Sequence, residues 1–290
     1  MQLDDSAAQI WLWHQRLGHP SFTLLQKLFP SLFQHNNVSI FQCETCELAK
    51  HHRVSFPLSS NKSFAPFSLI HTDVWGPSRV VSLNGCRWFI SFIDDFSRTT
   101  WVYLLKDKSD VFTVFQLFHK MVQTQFNTSI KTIRSENGGE YMSGTLQKYL
   151  HTHGIIHQTT CACTPQQNGV VERQNRHLLE VTRALLLTAS VPKSYWGDAL
   201  LTATYLINRT PSCVLDFKRP LEVLFSSVSS SNFIIPPRVF GCICFVHLHG
   251  QSSSKLDPCA LKCVFIGYSP TQKGYKCYHP PSRKHLCQWM

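Results

Sequence analysis

The spacing of apolar positions changes along the chain. QIWLWHQRL and FTLLQKLF carry helical spacing on either side of the Pro20–Ser21 break, which predicts two short amphipathic helices. From about Phe64 the pattern turns to short β-rich runs. These are SLIHTDV, CRWFISFID and TTWVYLL, punctuated by Gly76–Pro77, Asn84–Gly85 and Asp94–Asp95. Between Lys108 and Gln125 the helical period returns, with Val111, Val114, Phe115, Phe118 and Val122 on one stripe. IKTIR predicts a strand, residues 143–152 a helix and IIHQT another strand. The loop CACTPQQNG, with Pro165 and Gly169 as breakers, leads into VVERQNRHLLEVTRALLLTA, one long amphipathic helix. Pro192 suits the first turn of a further helix that ends near Asn208.

The predicted order is three strands, then helix, strand, helix, strand and two helices. Short turns make the first three strands antiparallel neighbours. The last two, each reached through a helix, join as parallel additions. That is the order of the ribonuclease H-like α/β fold, a mixed five-stranded sheet flanked by helices. Four regions follow: a small helical module at 1–58, the α/β core at 64–224, a Ser-rich linker at 225–235, and a segment at 236–290. The last region is strand-like again, in VFGCICFVHL, CVFIGYS and YKCYH, and predicts a small β-barrel.

Composition narrows the chemistry. The 290 residues are 43% hydrophobic and 16% charged, enough apolar surface for real cores and too little charge for a disordered tail. Net charge is +11, which favours a polyanionic partner, most simply nucleic acid. No apolar run approaches the roughly 18 residues of a membrane span. The acidic start MQLDDSAAQI lacks the basic region of a signal peptide. An intracellular chain without a membrane partner is expected, with its 12 Cys as thiols or metal ligands rather than disulfides.

Three carboxylates stand where a metal centre needs them. Transfer of phosphoryl groups between DNA strands rests on positioning and on divalent cations about 3.5–4 Å apart. Such cations take hard oxygen ligands from a few converging carboxylates. Asp73 ends the first predicted strand, Glu136 follows the fourth, and Glu172 lies one turn into the long helix. Glu136 and Glu172 are separated by 35 residues. All three can meet at one edge of the sheet, although scattered carboxylates by themselves are ordinary solvated groups. Asp94 and Asp95 fit a structural role in a strand turn, and Glu140 ranks below the three.

A second constellation lies at the start. His14 and His19 form H-x4-H, and Cys43 and Cys46 form C-x2-C. Imidazole and thiolate suit tetrahedral Zn²⁺, and a module this small buries too little surface to be stable without metal. His51 and His52 are spare candidates, better read with Lys50 and Arg53 as a basic solvated stretch. The remaining cysteines, among them Cys161, Cys163, Cys242, Cys244, Cys259 and Cys263, read as buried thiols.

On the long helix Glu172 and Arg176 share one face at i, i+4. Arg176 is therefore a candidate for contact with DNA phosphate, and Arg173 and Asn175 are further candidates. Gln166, Gln167 and Asn168, in the loop before that helix, can hydrogen-bond to bases and phosphates.

Several words of the sequence are long enough to carry a resemblance. HTDVWGP, FIDDFSR, RSENGGEY, TPQQNGVVERQNR and NRTP resemble the integrase core of Ty1/copia-type LTR retrotransposons. LWHQRLGHPS resembles the GAG-pre-integrase zinc module that precedes that core. RVFGC and CVFIGYSPTQKGYKCY resemble the SH3-like domain that follows it. The resemblance covers nearly the whole chain in the same order. It implies a D,D-35-E site at Asp73, position 136 and Glu172 that uses Mg²⁺ or Mn²⁺. It also implies structural Zn²⁺ on His14, His19, Cys43 and Cys46, and a mobile active-site loop at Gln166–Asn168. The implied activity is DNA integration by 3′-end processing and strand transfer. Element ends and target DNA are the implied partners, with a homo-oligomer as the working form, acting in the nucleus after a cytoplasmic phase.

Two departures stand out. The family's middle residue is Asp, in RSDNGGEY, where this chain has Glu136. The extra methylene implies weak metal binding and strongly reduced activity. The end, HPPSRKHLCQWM, departs from the family's last barrel strands, so an unfinished domain is expected, and family polyproteins continue into reverse transcriptase. The alternative is a catalytically inactive relic or co-opted nucleic-acid-binding module. A ribonuclease H would share the metal chemistry but gives no reason for the zinc module.

Overall fold

The computed structural model describes residues 5–17, 19–46, 63–160, 168–227, 235–248, 258–269 and 273–289. They belong to two units, Met1–Ser60 and Asn61–Met290.

The first unit is built on helices α1 (Asp5–Arg16) and α2 (Phe22–Leu28), followed by 3₁₀ turns at Pro30–Phe33 and Val38–Ile40. Ser21 caps α2 by accepting a hydrogen bond from the Leu24 amide, which fixes the break seen in the sequence. The core is a handful of side chains, Ala7, Ile10, Leu25, Phe33 and Phe41, edged by Trp11, Phe22 and Phe29.

The second unit opens with strands β1 (Leu69–Trp75), β2 (Trp88–Asp94) and β3 (Thr100–Leu105). Helix α3 (Val111–Phe126) leads to β4 (Thr132–Ser135), and α4 (Gly144–Thr152) leads to β5 (Ile156–Thr159). Helices α5 (Gly169–Ala189), α6 (Trp196–Ile207) and α7 (Pro220–Ser226) follow. The five-stranded sheet has the order β3-β2-β1-β4-β5. Its first three strands are antiparallel, whereas β4 and β5 run parallel to β1 and to each other. The predicted fold class is therefore the observed one.

Alternation along β2 explains how both faces are filled. Ile90 and Phe92 turn to one side, where Phe115, Phe118, Val122 and Ile133 complete the main core. Phe89 turns to the other, against Leu178, Trp196, Leu200 and Ala203 of α5 and α6. The Phe92 and Phe118 rings stack with centroids 4.3 Å apart, and both are fully buried. Phe118→Ala is expected to cost about 3–5 kcal/mol in a urea unfolding experiment.

The β2–β3 turn consumes the paired aspartates. Asp94 accepts hydrogen bonds from the Phe67 and Ser97 amides and the Ser97 hydroxyl. Asp95 accepts from His71 Nε2 at 3.1 Å, from Arg98 at 3.2 Å and from the Ser63 amide at 2.8 Å. Burial pushes the Asp95 carboxyl up. The hydrogen bond from His71, the Ser63 amide and the Arg98 charge outweigh it and hold the group well below its ordinary value of 3.8. A depressed folded-state pKa gives stability that is complete above the unfolded value and lost as pH falls below it. Asp95→Asn is thus expected to cost about 3 kcal/mol at pH 7. Thermal melts should show the gap to the unsubstituted chain closing as pH falls below 3.8.

The expected linker at 225–235 lies largely outside the described residues. Its first two positions complete α7, because Phe225 sits one turn after Leu221 and packs with it on the main core. Beyond it, β6 (Ile243–His247), β7 (Ala260–Tyr268), β8 (Gly274–His279) and β9 (Lys284–Trp289) form an antiparallel four-stranded sheet in sequence order. Strands β6 and β9 also approach each other, so the sheet curls. β9 falls in the segment where the sequence pattern predicts no strand. This small domain docks on α6. Gly267, at φ +139°, brings β7 so close that a Cβ there would stand 2.8 Å from Thr202 Oγ1. Beside it, Tyr205 stacks on Tyr268 at 3.6 Å and Lys276 reaches Asp198 at 2.6 Å. Among the described residues no helix is long and apolar enough to cross a membrane.

Candidate active site and metal centres

Asp73 lies in β1, opposite Ser91 of β2. Its Oδ1 accepts the Val74 amide at 2.8 Å and its Oδ2 accepts Asn175 Nδ2 at 2.9 Å. Glu136 is the first residue after β4, the parallel neighbour of β1, and is half-buried. Glu172 projects from the first turn of α5, where the helix dipole favours a carboxylate. Burial is the main force raising the Asp73 carboxyl, against hydrogen bonds from Val74 and Asn175, and the charges of Glu172 and Glu140 add to it. Burial also leads for Glu136, followed by the charges of Asp73, Glu172 and Glu140. The topology thus brings the three predicted residues to one sheet edge, with a fourth carboxylate beside them. Their mutual repulsion is what a divalent cation would relieve.

A hydrogen-bond chain holds the second of these positions. Gln147 Nε2 donates to the Tyr141 carbonyl at 2.8 Å and to His157 Nδ1 at 2.7 Å. His157 must then carry its proton on Nε2, which donates to Ser135 Oγ at 2.8 Å, and Ser135 donates onward to the Glu136 carbonyl at 2.9 Å. Burial holds the His157 pKa below its ordinary value, which favours this neutral form. Tyr141, fully buried, shares a 2.8 Å hydrogen bond with Thr72, the residue before Asp73. Ser135, Tyr141 and Thr72 belong to the motifs RSENGGEY and HTDVWGP, whereas Gln147 and His157 lie outside them, and the contacts among all five come only from the fold.

In the first unit, His14, His19, Cys43 and Cys46 come together, with their ligand atoms all within 4.8 Å of one another. His19 Nδ1 lies 3.0 Å from His14 Nε2, Cys43 Sγ lies 3.4 Å from His19 Nδ1, and Cys46 Sγ lies 3.4 Å from His14 Nε2. A tetrahedron with Zn–N of 2.0–2.1 Å and Zn–S of 2.3 Å has edges of about 3.3–3.8 Å. His14 Nδ1 donates to the Pro20 carbonyl at 2.9 Å, which leaves Nε2 as the ligating nitrogen. The backbone amide of Cys46 is the main influence holding the Cys43 thiol below its ordinary pKa, with its side chain and Thr45 helping. That favours the thiolate a metal needs. Among the described residues this is the one group of three or more such side chains gathered closely enough to hold an ion.

The candidate DNA contacts divide. Arg173 and Arg176 are exposed on α5. Asn175 and Asn168 are buried, at 5% and 0% exposure, and turn to β1. Asn175 donates to Asp73, and Asn168 Nδ2 donates to the Thr72 carbonyl. Gln166 and Gln167 lie outside the described residues, as do His51 and His52.

Comparison with known proteins follows the same three-part order. Residues 1–51 match the GAG-pre-integrase domain, residues 64–165 the integrase core domain, and residues 242–288 the retroviral polymerase SH3-like domain. The retrovirus-related Pol polyprotein from transposon TNT 1-94 of Nicotiana tabacum is 42% identical over 275 residues, which cover 94% of this chain and 20% of that protein. The corresponding polyprotein from transposon RE2 of Arabidopsis thaliana is 40% identical over 273 residues, covering 93% of this chain and 18% of its own length.

The chain belongs to the integrase region of the retrovirus-related Pol polyproteins of transposons.

This integrase region spans about a fifth of the length of the curated relatives it matches. A solved structure, the simian T-cell lymphotropic virus intasome in complex with PP2A regulatory subunit B56 gamma, supports the fold. It superposes with a TM-score of 0.58 at 16% identity, covering 97% of this chain and 95% of that one. In the integrase region the donor sets suit two different ions. The carboxylate oxygens of Asp73, Glu136 and Glu172 are the hard donors that a divalent cation takes, and the gathered His/Cys tetrad has the donor set of zinc.

Proposed function

We propose that this chain joins DNA, cutting element ends and inserting them into a target by metal-dependent phosphoryl transfer. Water attacks the phosphodiester near the 3′ end, and the exposed 3′-hydroxyl then attacks the target strand in line. The observation that carries this reading is the convergence of Asp73, Glu136 and Glu172 at one sheet edge of an integrase core. A pair of Mg²⁺ or Mn²⁺ ions, when bound there, supplies activation of the attacking oxygen and stabilisation of the leaving one. The chain's own residues prepare that site. Asn175 and the Val74 amide fix the rotamer of Asp73, the Gln147–His157–Ser135 chain fixes the main chain at Glu136, and α5 presents Glu172. Arg173 and Arg176 extend from the same helix to hold phosphate, with Gln166 and Gln167 before it. Zn²⁺ on His14, His19, Cys43 and Cys46 holds the first unit together. The working form is a homo-oligomer on DNA in the nucleus.

Glu136 supports a second reading, a nucleic-acid-binding relic that keeps the fold without the chemistry. The test is strand transfer by zinc-loaded protein with Mn²⁺ and a duplex bearing the parent element's terminal-repeat ends. Joined product from the unsubstituted chain, increased by Glu136→Asp and absent with Asp73→Asn, supports the enzyme. Folded, DNA-binding protein that yields no product in either form leaves the relic.

A further inference from the structure

The loop 136–143 leaves β4 with the second carboxylate and returns into α4. Its start is tied by Asn137, whose Nδ2 donates to the Thr160 carbonyl at 2.7 Å. Its end is tied by Tyr141 to Thr72. Between these ties, Glu140 folds its side chain back over the loop. A Cβ on Gly138 would stand 2.8 Å from Glu140 Cδ and Oε1, so the glycine lets the Glu140 carboxylate lie directly against the loop. The Glu140 side chain is 11% exposed and accepts a hydrogen bond from Lys108 Nζ at 3.3 Å. Lys108 in turn lies over the Trp88 ring, 4.9 Å from its centroid. It comes from the 3₁₀ turn before α3, which a capping box between Asp107 and Asp110 closes. Among the described residues this is the ion pair that reaches the loop.

We propose that Glu140 is a positioning residue for the second carboxylate: held by Lys108 and seated on Gly138, it sets how far Glu136 stands from Asp73. The inference rests on the metal-site reading above. Glu136 has three rotatable side-chain bonds, so the distance its carboxylate must cover is set by the main chain beneath it. Between Asn137 and Tyr141 that main chain is closed by the Tyr141 and Met142 amides donating to the Gly138 carbonyl and by Ser143 donating to the Glu140 carbonyl, and the Glu140–Lys108 pair is the ion pair that ties this turn to the rest of the fold. A loop released there must be ordered again each time a cation binds, and affinity falls. Sequence alone hides this role, because Glu140 follows Glu136 by four residues in a loop, where helical spacing rules do not apply.

The test is a Mn²⁺ titration of the zinc-loaded full chain, read from the electron paramagnetic resonance signal of free Mn²⁺. Glu140→Gln and Lys108→Met are each expected to weaken Mn²⁺ binding about tenfold, the usual scale for a lost supporting partner. The exchange Lys108→Glu with Glu140→Lys is expected to recover most of that loss, because it rebuilds the pair. Unchanged affinity in both single variants overturns the inference. So does an exchange variant that binds no better than Glu140→Lys alone, since Glu140 would then act as a direct ligand. Absence of Mn²⁺ binding by the unsubstituted chain would instead remove the metal-site reading, and this inference with it.

Discussion

Glu136→Asp is expected to raise Mn²⁺-dependent strand transfer about 100-fold, the scale of a 1 Å displacement in a catalytic constellation. Glu places its carboxylate one methylene farther out than Asp. A hard divalent cation holds its oxygens at 2.0–2.1 Å in near-octahedral order and tolerates such a shift poorly. The main chain beneath Glu136 is held on its β4 side. Its carbonyl is held by Ser135, Ser135 by His157, and His157 by Gln147. Asp73 is equally fixed, with one oxygen on the Val74 amide and the other on Asn175. The mismatch therefore falls on the Glu136 side chain itself. Single-turnover rates for the two proteins on the same DNA measure it, and equal robust rates would contradict the impairment.

Removing zinc is expected to unfold the first unit while leaving the second folded. The apolar core of the first unit is Ala7, Ile10, Leu25, Phe33 and Phe41 with a rim of aromatic rings, too little to hold a module this size. Structural zinc supplies on the order of 10 kcal/mol in such modules. The ligands also tie distant segments, since His14 closes α1 and Cys43 and Cys46 follow the last 3₁₀ turn. Cys43→Ser with Cys46→Ser should lose one equivalent of zinc by elemental analysis, and hydrogen exchange in residues 5–46 should approach the unprotected rate. Zinc retained in full by that double variant would refute the ligand set.

Much of this was legible because the deciding signals are periodic or closely spaced. The runs SLIHTDV, CRWFISFID and TTWVYLL are strands because alternate residues face two buried sides, and the intervening helices dictate parallel addition of β4 and β5. H-x4-H and C-x2-C name the tetrad because short spacing converges on one ion. What escaped are contacts between positions with no periodic relation. Asn175 looks like one more polar residue on the exposed side of the long helix, yet it turns inward to Asp73 across 102 residues of sequence. Tyr141 and Gln147 act on the site through Thr72 and His157. Strand β9 hides because Lys284, His285 and Cys287 are exposed and show no apolar alternation. The docking of the small sheet on α6 through Lys276 and Asp198 is a pairing that no local pattern announces.

Asp73, Glu136 and Glu172 are expected to form one cation centre. Anomalous diffraction from crystals of the zinc-loaded chain soaked in Mn²⁺ tests it most directly. The account predicts Mn²⁺ density within about 2.2 Å of a carboxylate oxygen of Asp73 and of Glu136 or Glu172. Glu136→Asp should raise its occupancy, and Asp73→Asn should abolish it. Mn²⁺ bound elsewhere on the protein, with none at this sheet edge in either the unsubstituted chain or Glu136→Asp, would contradict it.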